Sequence, residues 1–266
     1  RNGVVIIRYA GPDGASGGTE RTITANGVDY QVHTFTNSST FTTNFSAALT
    51  GTISGDGNLT VNASGGAMTL SGANTYTGAT SIAGGAAITD NFTALGNNSA
   101  VTLATSAGTL LDLRQDLAIG SITGGSGTSS QIDLNSHKLT TGANDTSTTF
   151  TGRIFGSGGE LAKAGDGTFM LAYNNTYTGA TAIDGGALVL QNNAPNPSSK
   201  TFTGTGSLTI EPASNSFTSS FSTNGWNFGT TLSGLTIGKA TNTANITVGQ
   251  NLTVAGPISI YGGDLT

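Results

Sequence analysis

The chain has 266 residues, of which 9% are charged, with 41 Gly, no Cys and a formal net charge of −5. An ordinary globular domain carries about 25% charged residues, and the scarcity of Glu (Glu20, Glu160, Glu211) and Lys (Lys138, Lys163, Lys200, Lys239) speaks against helices. The missing cysteines exclude disulfides and thiolate metal sites. The nine Lys and Arg form no basic stripe, which argues against nucleic acid as a partner, and no apolar run of eighteen residues is present to make a membrane-spanning helix.

Residues 1–35 stand apart from the remainder. Gly3-Val-Val-Ile-Ile-Arg-Tyr9 reads as an apolar strand, followed by the turn-rich Gly11-Pro-Asp-Gly-Ala-Ser-Gly-Gly18 and by the strands Arg21-Thr-Ile-Thr24 and Tyr30-Gln-Val-His-Thr-Phe35. From residue 36 onward, short segments alternate between apolar and polar residues. They include Leu59-Thr-Val61, Met68-Thr-Leu70, Leu110-Leu-Asp-Leu113, Ile132-Asp-Leu134, Leu208-Thr-Ile210, Ile246-Thr-Val248 and Ile258-Ser-Ile260. Such a period of two, in a chain that is 35% hydrophobic, predicts many half-buried strands and not disorder. Asn192-Asn-Ala-Pro-Asn-Pro-Ser-Ser199 holds two of the five prolines and reads as a protruding loop or a seam.

Within this pattern, Asn74-Thr-Tyr-Thr-Gly-Ala-Thr-Ser-Ile-Ala-Gly-Gly85 returns as Asn175-Thr-Tyr-Thr-Gly-Ala-Thr-Ala-Ile-Asp-Gly-Gly186, an offset of 101 residues with two differences. The copies extend over about residues 50–88 and 151–190. Repetition with short strands and no helical period predicts a right-handed parallel β-helix over residues 36–266, behind an atypical N-terminal strand segment. With about 20–25 residues per coil, about ten coils would stack to roughly 50 Å at the interstrand spacing. Ile53, Leu70, Ile82 and Ile88 are expected to point inward, as are Ile154, Leu171, Ile183 and Val189, although Leu188 and Leu190 compete with Val189 for that face. Gly84-Gly85 and Gly185-Gly186 are expected to supply positive φ at corners. Asn74 and Asn175 are expected to bond the backbone of their own turns.

Gly165-Asp-Gly-Thr-Phe-Met-Leu171, followed by Asn175-Thr-Tyr-Thr-Gly-Ala-Thr-Ala-Ile-Asp-Gly-Gly-Ala-Leu188, resembles the autotransporter-associated β-strand repeat, with Phe169 where that repeat usually has Leu. The strand Gly3–Tyr9 resembles the end of a glycine-rich domain of large bacterial surface proteins. These resemblances imply a β-helical adhesin or haemagglutinin-like protein exported to the surface of a Gram-negative cell, and not an enzyme. Neither the family's membrane β-barrel nor a secretion signal is recognisable in the sequence.

The residues themselves supply no catalytic, cofactor-binding or metal site. Asp112 and Asp116 flank Arg114, and on one strand the three would share a face as a surface ion pair. His33 and His137 lack acidic sequence neighbours and read as exposed or turn residues. Gly55-Asp-Gly57 and Gly165-Asp-Gly167 fall short of the calcium nonapeptide and read as turns. Tyr76 and Tyr177 are expected to cover the solenoid's flank half-buried. Thr-x-Thr pairs such as Thr75-Tyr-Thr77 and Thr201-Phe-Thr203 are spaced too irregularly to form a flat ice-binding array. The reading is a non-enzymatic stalk or adhesive fibre without cofactors, with a polysaccharide-binding or polysaccharide-cleaving β-helix as the alternative. Expected partners are a glycan or host surface and further copies stacked end to end, since the strand Val4–Ile7 has no partner in the repeat pattern and Ile258–Thr266 has no cap.

Overall fold

The computed structural model describes residues 5–10, 15–16, 18–35, 41–43, 46–192 and 200–266, and among these there is no helix. The fold is an all-β solenoid of about ten turns, in which strands of successive coils pair in parallel. Leu59, Thr80, Val101 and Ile122 follow one another up the stack at 21-residue steps. Alternation along each strand sends every second residue inside; the strand Thr80–Thr89 buries Thr80, Ile82, Gly84, Ala87 and Thr89, with the phase shifting by one residue at the Gly85 corner, while the residues between them are only partly covered.

Three ladders run along the stack. On face A, Val61, Ile82, Leu103, Gly124, Phe150, Leu171, Leu190, Ile210, Ile237 and Ile260 lie one above another. Face B carries Leu49, Leu70, Thr89 and Leu113, and face C carries Leu117, Leu139, Leu161, Thr181, Phe202 and Phe228. Long strands such as Leu59–Leu70, Thr80–Thr89 and Ser121–Asp133 bend from face A into face B without a break. Where Phe150 enters the ladder, Gly124 leaves the space above it. A Cβ on Gly125 or Gly152 would lie 2.8 or 2.6 Å from its ring.

Ile53, Leu70, Ile82, Ile154, Leu171 and Ile183 are buried as expected. Ile88 and Val189 are not: both are only half-buried. Ala87 and Thr89 take the inward positions around Ile88, and Leu188 does so beside Val189, because adjacent strand residues point to opposite faces. Gly85 and Gly186 adopt positive φ (69° and 57°), but their neighbours Gly84 and Gly185 do not, so each corner needs one left-handed residue and not two.

The two sequence copies do not lie directly above one another. Leu49, Leu70 and Thr89 of the first copy occupy face B, while their equivalents Phe150, Leu171 and Leu190 occupy face A. Ile82 lies on face A, and its equivalent Ile183 pairs with Lys163 on face C. The 101-residue offset therefore spans four coils plus two faces, one face short of five coils.

At the N-terminal side, Val5–Ala10 pairs antiparallel with Val28–Phe35, which pairs in turn with Thr19–Ala25. The hairpin closes through Asn26 and Gly27, both with positive φ (52° and 74°), as a two-residue type I′ turn requires. Residues 5–7 of the first apolar strand thus find their partner outside the repeat pattern, within the N-terminal segment of the same chain and not in a further copy. Val4, residues 11–14 and 17 of the predicted turn, and residues 193–199 of the Pro-containing break lie outside the described residues. Ala15–Ser16 pairs with Phe41–Thr43, which pairs in parallel with Val61 and Asn62 and so begins the stack.

The backbone geometry yields a paired test. Gly85 and Gly108 both have positive φ, but a Cβ on Gly85 would lie 1.9 Å from the Ala63 carbonyl oxygen, whereas one on Gly108 meets nothing within 4 Å. Gly108→Ala is expected to cost about 1–2 kcal/mol from left-handed strain alone. Gly85→Ala must also displace the neighbouring coil and is expected to cost about 3 kcal/mol or more. Urea unfolding of the two variants under identical conditions checks the order, and equal midpoints would contradict the stacking at this corner.

Candidate functional site

The repeated motif encodes a clamp between coils. Asn74 is buried, and its Oδ1 accepts the Ile53 N–H at 2.7 Å from the preceding coil while its Nδ2 donates to the Ala94 carbonyl at 2.6 Å in the following one. Asn175 repeats the first contact, accepting the Ile154 N–H at 2.7 Å. Both residues thus join coils 21 positions apart; Asn175 also bonds its own turn as expected, its Nδ2 donating to the Tyr173 carbonyl at 2.9 Å, whereas both of these Asn74 bonds reach the neighbouring coils. Deleting such an amide strands a buried N–H, at a cost of about 1–3 kcal/mol.

Tyr76 and Tyr177 complete the clamp from inside. They are 1% and 2% exposed, so they are core residues and not flank covers. The Tyr76 hydroxyl pairs with that of Thr80 at 2.5 Å, Thr80 with Ser99 at 3.0 Å, and Ser99 donates to the Gly78 carbonyl at 2.7 Å. In the second copy the Tyr177 hydroxyl pairs with Thr181 at 2.7 Å. At the position of Ser99, however, stands Lys200: Thr80 pairs with Val101, Thr181 with Phe202, and Ser99 and Lys200 each lie two residues before those partners.

Two lysines are buried inside the stack. Lys163 donates from Nζ to the carbonyls of Ala164 (2.6 Å) and Gly165 (2.9 Å), with Gly185 O at 3.4 Å. Burial holds its pKa below the usual lysine value, against the opposing pull of Asp145 and Asp166. Lys200 is 6% exposed, donates to the Tyr177 carbonyl at 2.6 Å and lies 4.3 Å over the Tyr177 ring. Burial alone pushes its pKa down to about 8.

Lys200 lines a small cavity of about 40 Å³, room for a few waters. The floor is aromatic. Phe202 lies 5.6 Å from Trp226, Phe221 meets Trp226 edge-on at 5.4 Å, and Phe217 stacks on Phe221 at 5.3 Å. The enlarged coil, with a 27-residue step from Leu208 to Leu235, provides the room for this cluster. Tyr173, Asn174, Gln191 and Asn192 form the rim. Sequence reasoning missed this site. The available signal was the aromatic run from Phe202 to Phe228.

The other candidates stay apart. Arg114 binds Asp112 at 2.7 Å, but Asp112 is nearly buried and also accepts from Asn135 at 2.7 Å, whereas Asp116 lies beyond the strand and accepts the Lys138 N–H at 2.9 Å. The three therefore do not share one strand face. His137 sits in a turn with Asp116 at 3.8 Å. His33, expected to be exposed, is buried against Glu20 at 3.6 Å. Gly55-Asp-Gly57 and Gly165-Asp-Gly167 lie in bends. Hydroxyl residues do align on face A, as Thr60, Ser81, Thr102 and Thr123, and again as Thr209, Thr236 and Ser259, but Met170 and Val189 interrupt the row. Among the described residues, no group of three or more His, Asp or Glu converges.

The family model of the passenger-associated-transport-repeat matches residues 63–86 and 161–190, and each match contains one Asn–Tyr–Thr clamp. No curated protein and no solved structure matches the chain. The repeat and the β-solenoid together fit the passenger β-helix of an autotransporter.

The buried groups give stability a definite pH profile. Lys200 has a folded pKa of about 8 against 10.5 for the free side chain, so folding is penalised at neutral pH and the penalty fades as pH rises between those values. Lys163 contributes with the same sign. Burial pushes Tyr177 up to about 12 from 10.0 and raises Tyr76 as well, so their contribution is intact below pH 10.0 and is lost above it. Thermal melts are expected to rise from pH 7 towards about pH 10 and fall beyond it. Lys200→Met should flatten much of the rise, which is worth on the order of 2–3 kcal/mol at its limit. A profile identical to that of the unsubstituted chain would show that Lys200 is solvated.

Proposed function

We propose that the chain is a rigid, non-enzymatic segment of a secreted bacterial surface protein, serving as a stalk or adhesive fibre. The observation that carries this reading is the interior: Leu49 to Ile246 form one continuous apolar cluster along the stack, braced by the repeat's own clamp. A solenoid filled in this way resists bending, because each coil is hydrogen-bonded to the next along its length. The passenger-associated repeat supports a secreted or surface-exposed location. Among the described residues each histidine meets a single carboxylate, His33 with Glu20 and His137 with Asp116, and no group of three or more His, Asp or Glu converges, which supports the non-enzymatic reading. End-to-end association through the outer edge of the Ile258–Ile260 strand, and adhesion to a glycan or cell surface, belong to the same proposal. Nucleic acid and membrane insertion do not.

The test is localisation together with shape and turnover. Antibodies against residues 46–266 should label intact cells producing the parent protein, and solution scattering of the purified chain should fit a rod. Labelling only after lysis, or a flexible-coil scattering profile, would refute the stalk. Cleavage of any member of a panel of plant, algal and bacterial glycans would refute the non-enzymatic assignment and favour the polysaccharide-cleaving alternative.

A further inference from the structure

Face A turns an uncharged row outward along the whole stack. The row runs from Thr60 and Ser81 to Thr236 and Ser259, one residue before each inward position of the ladder. It holds one residue from each of ten coils, eight of them Thr or Ser, and none of them is buried. The other faces carry charge on neighbouring strands, Asp112 beside Asp133 on face B and Lys138 beside Glu160 on face C. At the margin of face A, the Glu211 carboxylate is engaged by Gln191 at 2.8 Å.

The two exceptions in the row are Met170 and Val189, which are ladder partners on adjacent coils. Ala187 lies on the same side of its strand as Val189. Three hydroxyl positions follow on either side of this apolar pair: Thr149, Thr123 and Thr102 in one direction, Thr209, Thr236 and Ser259 in the other. Read outward from its apolar centre, the row is the same in both directions. An apolar centre within a polar rim, depleted of charge, is the anatomy of a specific protein interface. Mirror symmetry about the centre is what an isologous contact requires.

We propose that two molecules of this chain pair front to front through face A, with their stacks antiparallel. A two-fold axis along the strand direction, between the Met170 and Val189 coils, sets Met170 of each molecule against Val189 of the other. Thr149 then faces Thr209, Thr123 faces Thr236 and Thr102 faces Ser259. Eight coils overlap, about 38 Å along the stack at the interstrand spacing, and three outward residues per strand span about 14 Å. Both molecules together cover roughly 1,000 Å², the lower limit for a specific interface, so the pairing is weak and reversible. Each molecule carries a net charge of −5, and an uncharged face is where two of them can approach. A flat polysaccharide would have no use for the mirror symmetry. The pairing goes beyond the stalk reading, since end-to-end stacking uses the ends of the solenoid and leaves this side free.

Analytical ultracentrifugation of the purified chain at rising concentration should show dimers in the micromolar range. Met170→Lys and Val189→Lys, each checked for an unchanged circular dichroism spectrum and melting point, should raise the dissociation constant about tenfold or more. End-to-end stacking would survive both variants, so the two kinds of association are read apart. The chain has no Cys, so an introduced thiol is unique. A short bismaleimide should couple a mixture of the Thr149→Cys and Thr209→Cys chains to each other, and neither chain to itself. A monomer at the highest soluble concentration, an association that both lysine variants leave unchanged, or coupling of the Thr149→Cys chain to itself would overturn the proposal. So would a monomer that binds suspended cellulose or chitin until Met170→Lys removes the binding, which would assign the face to a flat polysaccharide.

Discussion

Everything in this molecule depends on the spacing between coils. Parallel strands in register leave only about 4.8 Å from one coil to the next, so each inward residue touches its counterparts directly above and below. A slip of one residue would turn a whole face inside out. Alternating polarity alone resists such a slip weakly here, because Thr, Ser and Gly are tolerated on both sides. Thr80, Thr89 and Thr181 are fully buried, for instance. The Asn74 and Asn175 amides therefore have a particular task. Each hydrogen-bonds the backbone of a specific residue 21 positions earlier, Ile53 or Ile154, and so fixes the register at one point per repeat. A buried amide that must find one backbone partner selects among alignments that the apolar contacts would leave nearly degenerate.

The rotation of the two copies follows from the same logic. The clamp joins adjacent coils and makes no reference to which face of the solenoid it occupies. A duplicated unit keeps its own contacts after turning by one face, provided the coils on either side carry apolar residues at the inward positions. Phe150 shows the adjustment this required. Its ring lies in the ladder that runs through Val61, Ile82 and Leu103, and glycines at 125 and 152 clear the volume it occupies.

How much of this was legible in the sequence divides along the distance over which each signal acts. Period-two alternation is local, and it placed Ile53, Leu70, Ile82, Ile154, Leu171 and Ile183 inside. At Ile88 and Val189 consecutive apolar residues made the phase ambiguous, and the neighbours took the interior. The Asn26-Gly27 hairpin carried a turn signal that the alternation of the solenoid overshadowed. The burial of Tyr76 and Tyr177 depends on Thr80 and Thr181, four residues on, accepting or donating inside the coil, and composition says nothing about that. His33 with Glu20, and His137 with Asp116, meet only after strand pairing or stacking, so acidic neighbours in the sequence were the wrong place to look. Coil length was the deepest obstacle: steps of 19 to 27 residues between paired positions prevent any fixed period from aligning distant faces.

The two buried lysines show why burial by itself identifies no site. Lys163 is as deeply enclosed as any residue in the molecule, yet its ammonium faces three backbone carbonyls and lies near Asp145 and Asp166, so its charge is met by the fold. Such a group closes a corner in place of a water or a second amide. Lys200 has one carbonyl, an aromatic face and an opening to solvent, and nothing raises its pKa against the cost of burial. Burial of a cation is therefore met in two ways along one stack, by backbone carbonyls within the corner at Lys163 and by a carbonyl and a ring beside the aromatic cluster at Lys200.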